Sequence, residues 1–118
     1  MFEAENIRDW RGHTVIDPGS SKIGTLEAVY VDTATDQPFF GSVQVGMMGR
    51  RRLVFVPLTG ATVGPGWLRV QAPKGLVKSA PSIEADGELL AANEPDVFAH
   101  YELPYAPGAA GERRLARR

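Results

Sequence analysis

Ile23-Gly24-Thr25-Leu26-Glu27-Ala28-Val29-Tyr30-Val31-Asp32 is the stretch whose reading decides the fold. It alternates as a strand does, but the alternation changes phase, because Val29 and Val31 each stand an odd number of positions from Leu26. Side chains in a strand change face at every residue, so one face can hold Leu26 together with Val29 and Val31 only if an extra residue intervenes. The pattern predicts a β-bulge near Glu27-Ala28, and the bend that a bulge introduces helps a short sheet to close.

Similar runs lie to either side. His13–Ile16 precedes it across the turn cluster Asp17-Pro18-Gly19-Ser20, and Phe39–Val45, Leu53–Leu58 and Trp67–Val70 follow, each bounded by Gly, Pro or Asp. Short strands at close spacing with no helical period between them predict an all-β fold, a small antiparallel sheet curled into a barrel. Lys74–Lys78 has room for one helical turn. The longer helix runs from Asn93 as N-cap through His100, with Pro95 tolerated in its first turn and Val97, Phe98 and Tyr101 as its apolar face.

Two strands carry more apolar surface than one thin barrel hides. In Phe39-Phe40-Gly41-Ser42-Val43-Gln44-Val45, the residues Phe39, Val43 and Val45 share one face and Phe40 points away from the core. Leu53-Val54-Phe55-Val56-Pro57-Leu58 is apolar on both faces, with either Val54 and Val56 or Leu53 and Phe55 lining the interior. Its other side needs a cover, from the helix or from a second subunit. Symmetric pairing is the commonest way to bury such a face, so the sequence predicts a homo-oligomer, a dimer above all, with Phe40, Met47, Met48, Leu53 and Phe55 at the interface.

With 118 residues, 43% of them hydrophobic and 23% charged, the chain has the composition of one ordinary globular domain. Residues 1–9 read as a lead-in, 10–103 as the domain, with Trp10 capping one end of its core, and 104–118 as a flexible Arg-rich tail. There is no cysteine, so neither a disulfide nor a thiol nucleophile is available. No apolar stretch reaches the length that spans a membrane, and the acidic start lacks a signal-like apolar region, which predicts a cytoplasmic location. The net charge of -1 conceals an asymmetry: Glu84, Asp86, Glu88, Glu94, Asp96 and Glu102 run without an intervening Lys or Arg, and Arg113, Arg114, Arg117 and Arg118 crowd the end.

The order of these signals resembles the PRC-barrel domain. The residues that carry the likeness are Gly12, Val15-Ile16-Asp17-Pro18, Ile23-Gly24, Leu26, Val29-Tyr30-Val31-Asp32, Thr35, Val43 and Val45, Val56-Pro57-Leu58, Val70, Lys78, Ala80-Pro81, Phe98, His100-Tyr101 and Leu103. Taken together they are similar to small stand-alone bacterial copies of a domain also found in reaction-centre H subunits and ribosome-maturation factors. The resemblance implies a barrel of about six strands and a module for assembly or protein interaction, without catalytic residues and with no partner specified.

No constellation of residues argues for chemistry. His13 and His100 are the only histidines and lack any metal-ligand spacing, so both read as solvated side chains. Asp32 and Asp36 fit a hairpin turn better than a calcium loop. The glycines around Gly64-Pro65-Gly66 have no following Lys-Ser or Lys-Thr, and no serine sits in a GxSxG setting. The sequence thus predicts no catalytic residue, no cofactor and no metal, and a chain that is not an enzyme. Arg50, Arg51 and Arg52 form a candidate anion contact, and with the basic tail they supply the alternative function of a protein associated with RNA or ribosomes. The near-neutral overall charge and the absence of interleaved aromatics weigh against nucleic acid as the partner.

Overall fold

The computed structural model describes residues 9–47, 50–85, 87–106 and 113–117. Its strands are β1 (Thr14–Ile16), β2 (Lys22–Asp32), β3 (Pro38–Met47), β4 (Arg50–Pro57), β5 (Thr62–Gly64), β6 (Trp67–Arg69), β7 (Ser82–Glu84) and β8 (Leu115–Arg117). Helix α1 (Lys74–Lys78) precedes β7, and a 3-10 turn (Ala91–Asn93) leads into α2 (Glu94–His100). All eight strands belong to one sheet with the order β5-β6-β1-β2-β3-β4-β7, and β8 adds to β2. Among the described residues no ladder joins β5 to β7, so the curled sheet stays open at that seam.

β2 organises the sheet. One of its edges pairs with β3 from Thr25 to Val31, while the other takes β1 along Lys22–Thr25 and then β8 along Tyr30–Asp32. The expected bulge is present, because the register with β3 steps from Leu26 to Ala28 and leaves Glu27 as the extra residue. Leu26, Val29 and Val31 therefore share the barrel interior with Val15, Val43, Val54, Val56 and Leu68. Close approach of β2 and β3 requires Gly24, where a Cβ would overlap the carbonyl oxygen of Gln44.

The other side of the sheet carries a second core. Ala28, Tyr30, Phe40 and Phe55 from the strands meet Leu89, Val97 and Phe98 from the C-terminal part and Leu115 from β8, with Phe39, Tyr101 and Tyr105 packed at its rim. Rings contact edge to face, Tyr30 with Phe55 at 5.1 Å and Phe98 with Tyr105 at 4.9 Å between centroids. Of the two orientations open for β4, the structure selects Val54 and Val56 inward and Phe55 outward.

Three expectations are corrected here. Phe39 does not join Val43 inside the barrel: the register between β2 and β3 also slips between Tyr30 and Val31, which leaves Phe39 unpaired and turns it to the outer core beside Phe40. The outer face of β3 and β4 is covered within the chain, by α2, the Leu89 segment and β8, so that Phe40, Leu53 and Phe55 are fully buried without any second subunit. The end of the tail is docked, since Leu115 has a buried site to fill and residues 115–117 pair with β2. Asn93 precedes α2 as expected but makes no side-chain cap, and the one-turn α1 forms where the sequence places it.

Replacing Leu115 with Ala should cost about 2–4 kcal/mol and replacing Phe40 with Ala about 3–5 kcal/mol, because each leaves a cavity in the second core. Urea unfolding followed by circular dichroism measures both. A loss under about 0.5 kcal/mol for Leu115→Ala, the scale of a surface substitution, would show that the tail does not dock.

Candidate interaction surfaces: a cationic groove and a docked strand

Two features outside the cores combine charge with shape. The first is a groove of about 430 Å³ lined by Lys22, Ile23, Gly24, Thr25, Gln44, Val45, Gly46, Arg51 and Lys78. Lys22 opens β2, Arg51 stands on β4 opposite Gly46, and Lys78 ends α1, so three separate elements bring their cations to one depression. No carboxylate lines it, and among the described residues none of the three makes an ion pair. Clustered cations with no local counter-charge attract anions, the lysines as mobile point charges and the guanidinium as a two-pronged donor.

The second feature is the seat of β8, where carboxylates take the charged and amide groups of the tail beside the ladder with β2. Glu94, the first residue of α2, is fully buried. Its Oε1 accepts the Arg114 amide at 2.8 Å and the Tyr105 hydroxyl at 2.7 Å, and its Oε2 accepts the Leu115 amide at 2.9 Å. Asp32 takes the Arg114 guanidinium in a fork, Nε to Oδ1 and Nη2 to Oδ2, both at 2.8 Å. Arg113 pairs with Glu88 at 3.0 Å and Arg117 with Glu27. The Arg114 guanidinium also lies over the Phe39 ring, 5.9 Å from its centroid.

Ionisation follows these contacts. The Arg114 guanidinium, followed by the Ala34 amide, holds the Asp32 carboxyl below its ordinary value, and the same pairing raises Arg114. Burial and then the Glu94 carboxylate push the Tyr105 hydroxyl up to about 12, and burial alone raises Tyr101, whose hydroxyl donates to the Phe55 carbonyl. Asp17 is lowered mainly by the amide of Ser21 and then by that of Lys74, a contact that ties the first turn to the start of α1.

The residues singled out in the sequence fall into separate places. Arg50, Arg51 and Arg52 are all exposed and belong to β4 itself, so strand alternation sends Arg51 one way and its neighbours the other. Arg52 donates to the Ser82 hydroxyl at 2.7 Å and stands opposite Glu84 in the ladder with β7. Met47 ends β3 and Met48 lies outside the described residues. Phe40, Leu53 and Phe55 are core residues of this chain. His100 is no freely solvated group: its Nε2 donates to the Leu76 carbonyl at 2.7 Å and joins α2 to α1. Asp32 does shape a turn, accepting the Ala34 amide, and it also serves the tail. Among the described residues no group of acids and histidines is placed to hold a metal.

Nothing in the sequence joined Lys22 and Lys78 to the arginine run as an anion contact, since they are single lysines far apart. Of the carboxylates that seat β8, Glu88 and Glu94 belong to the acidic stretch that the sequence shows before its arginine-rich end, whereas Asp32 and Glu27 gave no such signal.

The PRC-barrel domain matches residues 2–77. The chain belongs to the PRC-barrel family. The match spans β1 to β6 and most of α1, whereas β7, α2 and β8, which cover the second core, lie beyond it. Domains of this family are small β-barrel modules generally associated with interaction or assembly. Among curated proteins, none matches this chain. Among the described residues no helix of this PRC-barrel is long and apolar enough to cross a membrane.

Replacing Asp32 with Asn should lower stability at pH 7 by about 1.5–3 kcal/mol, the range for hydrogen bonds to a charged group. Since the folded carboxyl titrates below its unfolded value of about 4, this contribution is complete above pH 4 and fades as pH falls through the depressed value. Urea titrations of both proteins at neutral and acidic pH should show the gap closing on the acid side. A gap independent of pH would remove the ion pair as its source.

Proposed function

We propose that this PRC-barrel is a non-enzymatic protein-interaction module that receives an acidic segment of a partner protein in the groove of Lys22, Arg51 and Lys78. The observation that carries this reading is the convergence of those three cations from β2, β4 and α1 on a depression with no carboxylate in its lining. A flexible chain of Glu and Asp fits an open, polar groove of this kind, because each cation can be satisfied without deep burial and so with a small desolvation cost.

The alternative of a nucleic-acid partner loses half of its support. Among the described residues of the tail, Arg113, Arg114 and Arg117 each have a carboxylate of their own, so they do not stand as free cations beside the hairpin arginines. Self-association through Phe40 and Phe55 loses its surface for a different reason, since those rings are already buried inside the chain. A homo-oligomer would therefore form through other groups.

Fluorescence anisotropy with a labelled oligo-glutamate peptide tests the reading. Binding should weaken as salt rises, and the double variant Lys22→Glu, Arg51→Glu should lose at least about tenfold in affinity, the scale of a few screened charge contacts. Binding that the double variant retains would place the contact elsewhere. A clear preference for single-stranded RNA of equal charge would favour the nucleic-acid reading instead.

A further inference from the structure

The seat of β8 recognises a short sequence by identifiable chemistry. The β2 edge at Tyr30–Asp32 supplies an antiparallel ladder, Glu88, Asp32 and Glu27 each take one arginine, Glu94 takes two consecutive amides, and the second core takes Leu115. Thr33 adds its amide and hydroxyl, which donate to the carbonyls of Arg114 and Arg113 at 2.8 Å. The polar groups belong to β2, its following turn, Glu88 or α2, and the pocket for Leu115 adds Phe40 of β3 and Phe55 of β4. Apart from the bond of 2.9 Å from the Arg114 guanidinium to the Ala106 carbonyl, where the connecting residues begin, these contacts can be made by residues 113–117 of this chain or of another copy.

Three facts bear on how readily a second copy can supply them. The ladder is only three residues long. The Arg113–Glu88 pair is substantially exposed, at 37% and 48% of the side chains, so opening it costs little. The sequence that joins Ala106 to Arg113, Pro107-Gly108-Ala109-Ala110-Gly111-Glu112, contains no large apolar residue.

We infer that this PRC-barrel self-associates by exchanging its C-terminal strand, the segment 113–117 of one copy occupying the seat between β2 and α2 of another. The inference does not depend on the cationic groove. Within one chain the tail competes at an effective concentration on the order of millimolar, so the wild type is mainly monomeric at low micromolar concentration and pairs as concentration rises. Exchange of an identical element creates no new interface chemistry, which makes it a low-cost route to a dimer.

Reciprocal charge reversal in two full-length chains tests this directly. Asp32→Arg spoils the seat and Arg114→Glu spoils the tail, so neither chain satisfies itself, whereas in a mixture each seat meets a tail of opposite charge. Light scattering with size exclusion should show each variant alone as a monomer and the mixture as a one-to-one heterodimer of twice the mass at about 100 µM, well below the competing cis concentration in the wild type. The double variant Asp32→Arg, Arg114→Glu in one chain should return to a monomer.

A second pair of variants decides the matter if either charge variant fails to fold. Val31 and Ala116 are direct partners in the β2–β8 ladder, and the chain has no cysteine of its own. Mixed, oxidised Val31→Cys and Ala116→Cys chains should give a covalent heterodimer well in excess of either homodimer. A mixture of folded charge variants that stays monomeric at about 100 µM, or a cysteine mixture with no excess of heterodimer, overturns the inference.

Discussion

From Leu53 to Val56 every side chain of β4 is buried, and a strand has two faces, so the sheet must be covered on both. Rolling the sheet supplies one cover, in which Val54 and Val56 meet Leu26, Val29 and Leu68. No further curl of so few strands can supply the other. It comes from residues after 77, beyond the part that matches the PRC-barrel domain: Leu89, α2 and the tail close over Phe55, Phe40 and Tyr30. The barrel and its C-terminal cover share β4 as a common wall, and loss of either exposes aromatic rings to water.

The two irregularities of β2 and β3 link sheet curvature to tail docking. At the first, Glu27 is the extra residue, and its carboxylate, released from the regular alternation, accepts the Ser42 hydroxyl at 2.7 Å and pairs with Arg117. At the second, Phe39 turns outward and its ring lies beneath the Arg114 guanidinium. Each bulge bends the sheet and at the same time aims a side chain at the tail, a double use that regular strands would not allow. A sheet curled by other means would lack two of the contacts that seat β8.

Legibility in the sequence follows the range of the interaction. The bulge at Glu27, the one-turn helix at Lys74–Lys78 and the helix up to His100 are local patterns, and each is visible as a phase change or a period in neighbouring residues. At Thr62–Gly64, Ser82–Glu84 and Leu115–Arg117 no alternation extends beyond the three residues themselves, and each strand is placed by the edge it pairs with, that of β6, β4 and β2 in turn. The sequence showed that β4 needed a second cover but not which one, since Phe40 facing another copy and Phe40 facing Phe98 of the same chain give the same pattern. The tail was misread for a related reason: from composition alone its arginines predict repulsion and solvation, and their carboxylate partners are up to 90 residues away. Of the cationic groove only Arg51 was legible, as part of the arginine run, because Lys22 and Lys78 meet it only after the sheet has folded.

The distribution of charge then takes on a definite meaning. A near-neutral chain with an acidic stretch and a basic end could have spread both over its surface, but the fold pairs Arg113, Arg114 and Arg117 with Glu88, Asp32 and Glu27 and buries Glu94 against backbone amides. Paired charges cancel beyond a few ångströms and contribute little to the field felt by an approaching molecule. The net charge of -1 is therefore a poor guide to what this surface attracts, since three cations that make no ion pair among the described residues, Lys22, Arg51 and Lys78, line one groove. The arginines at the chain end hold the second core closed from outside. A tail that looks like a polyanion ligand in the sequence acts in the folded protein as the last strand of the sheet.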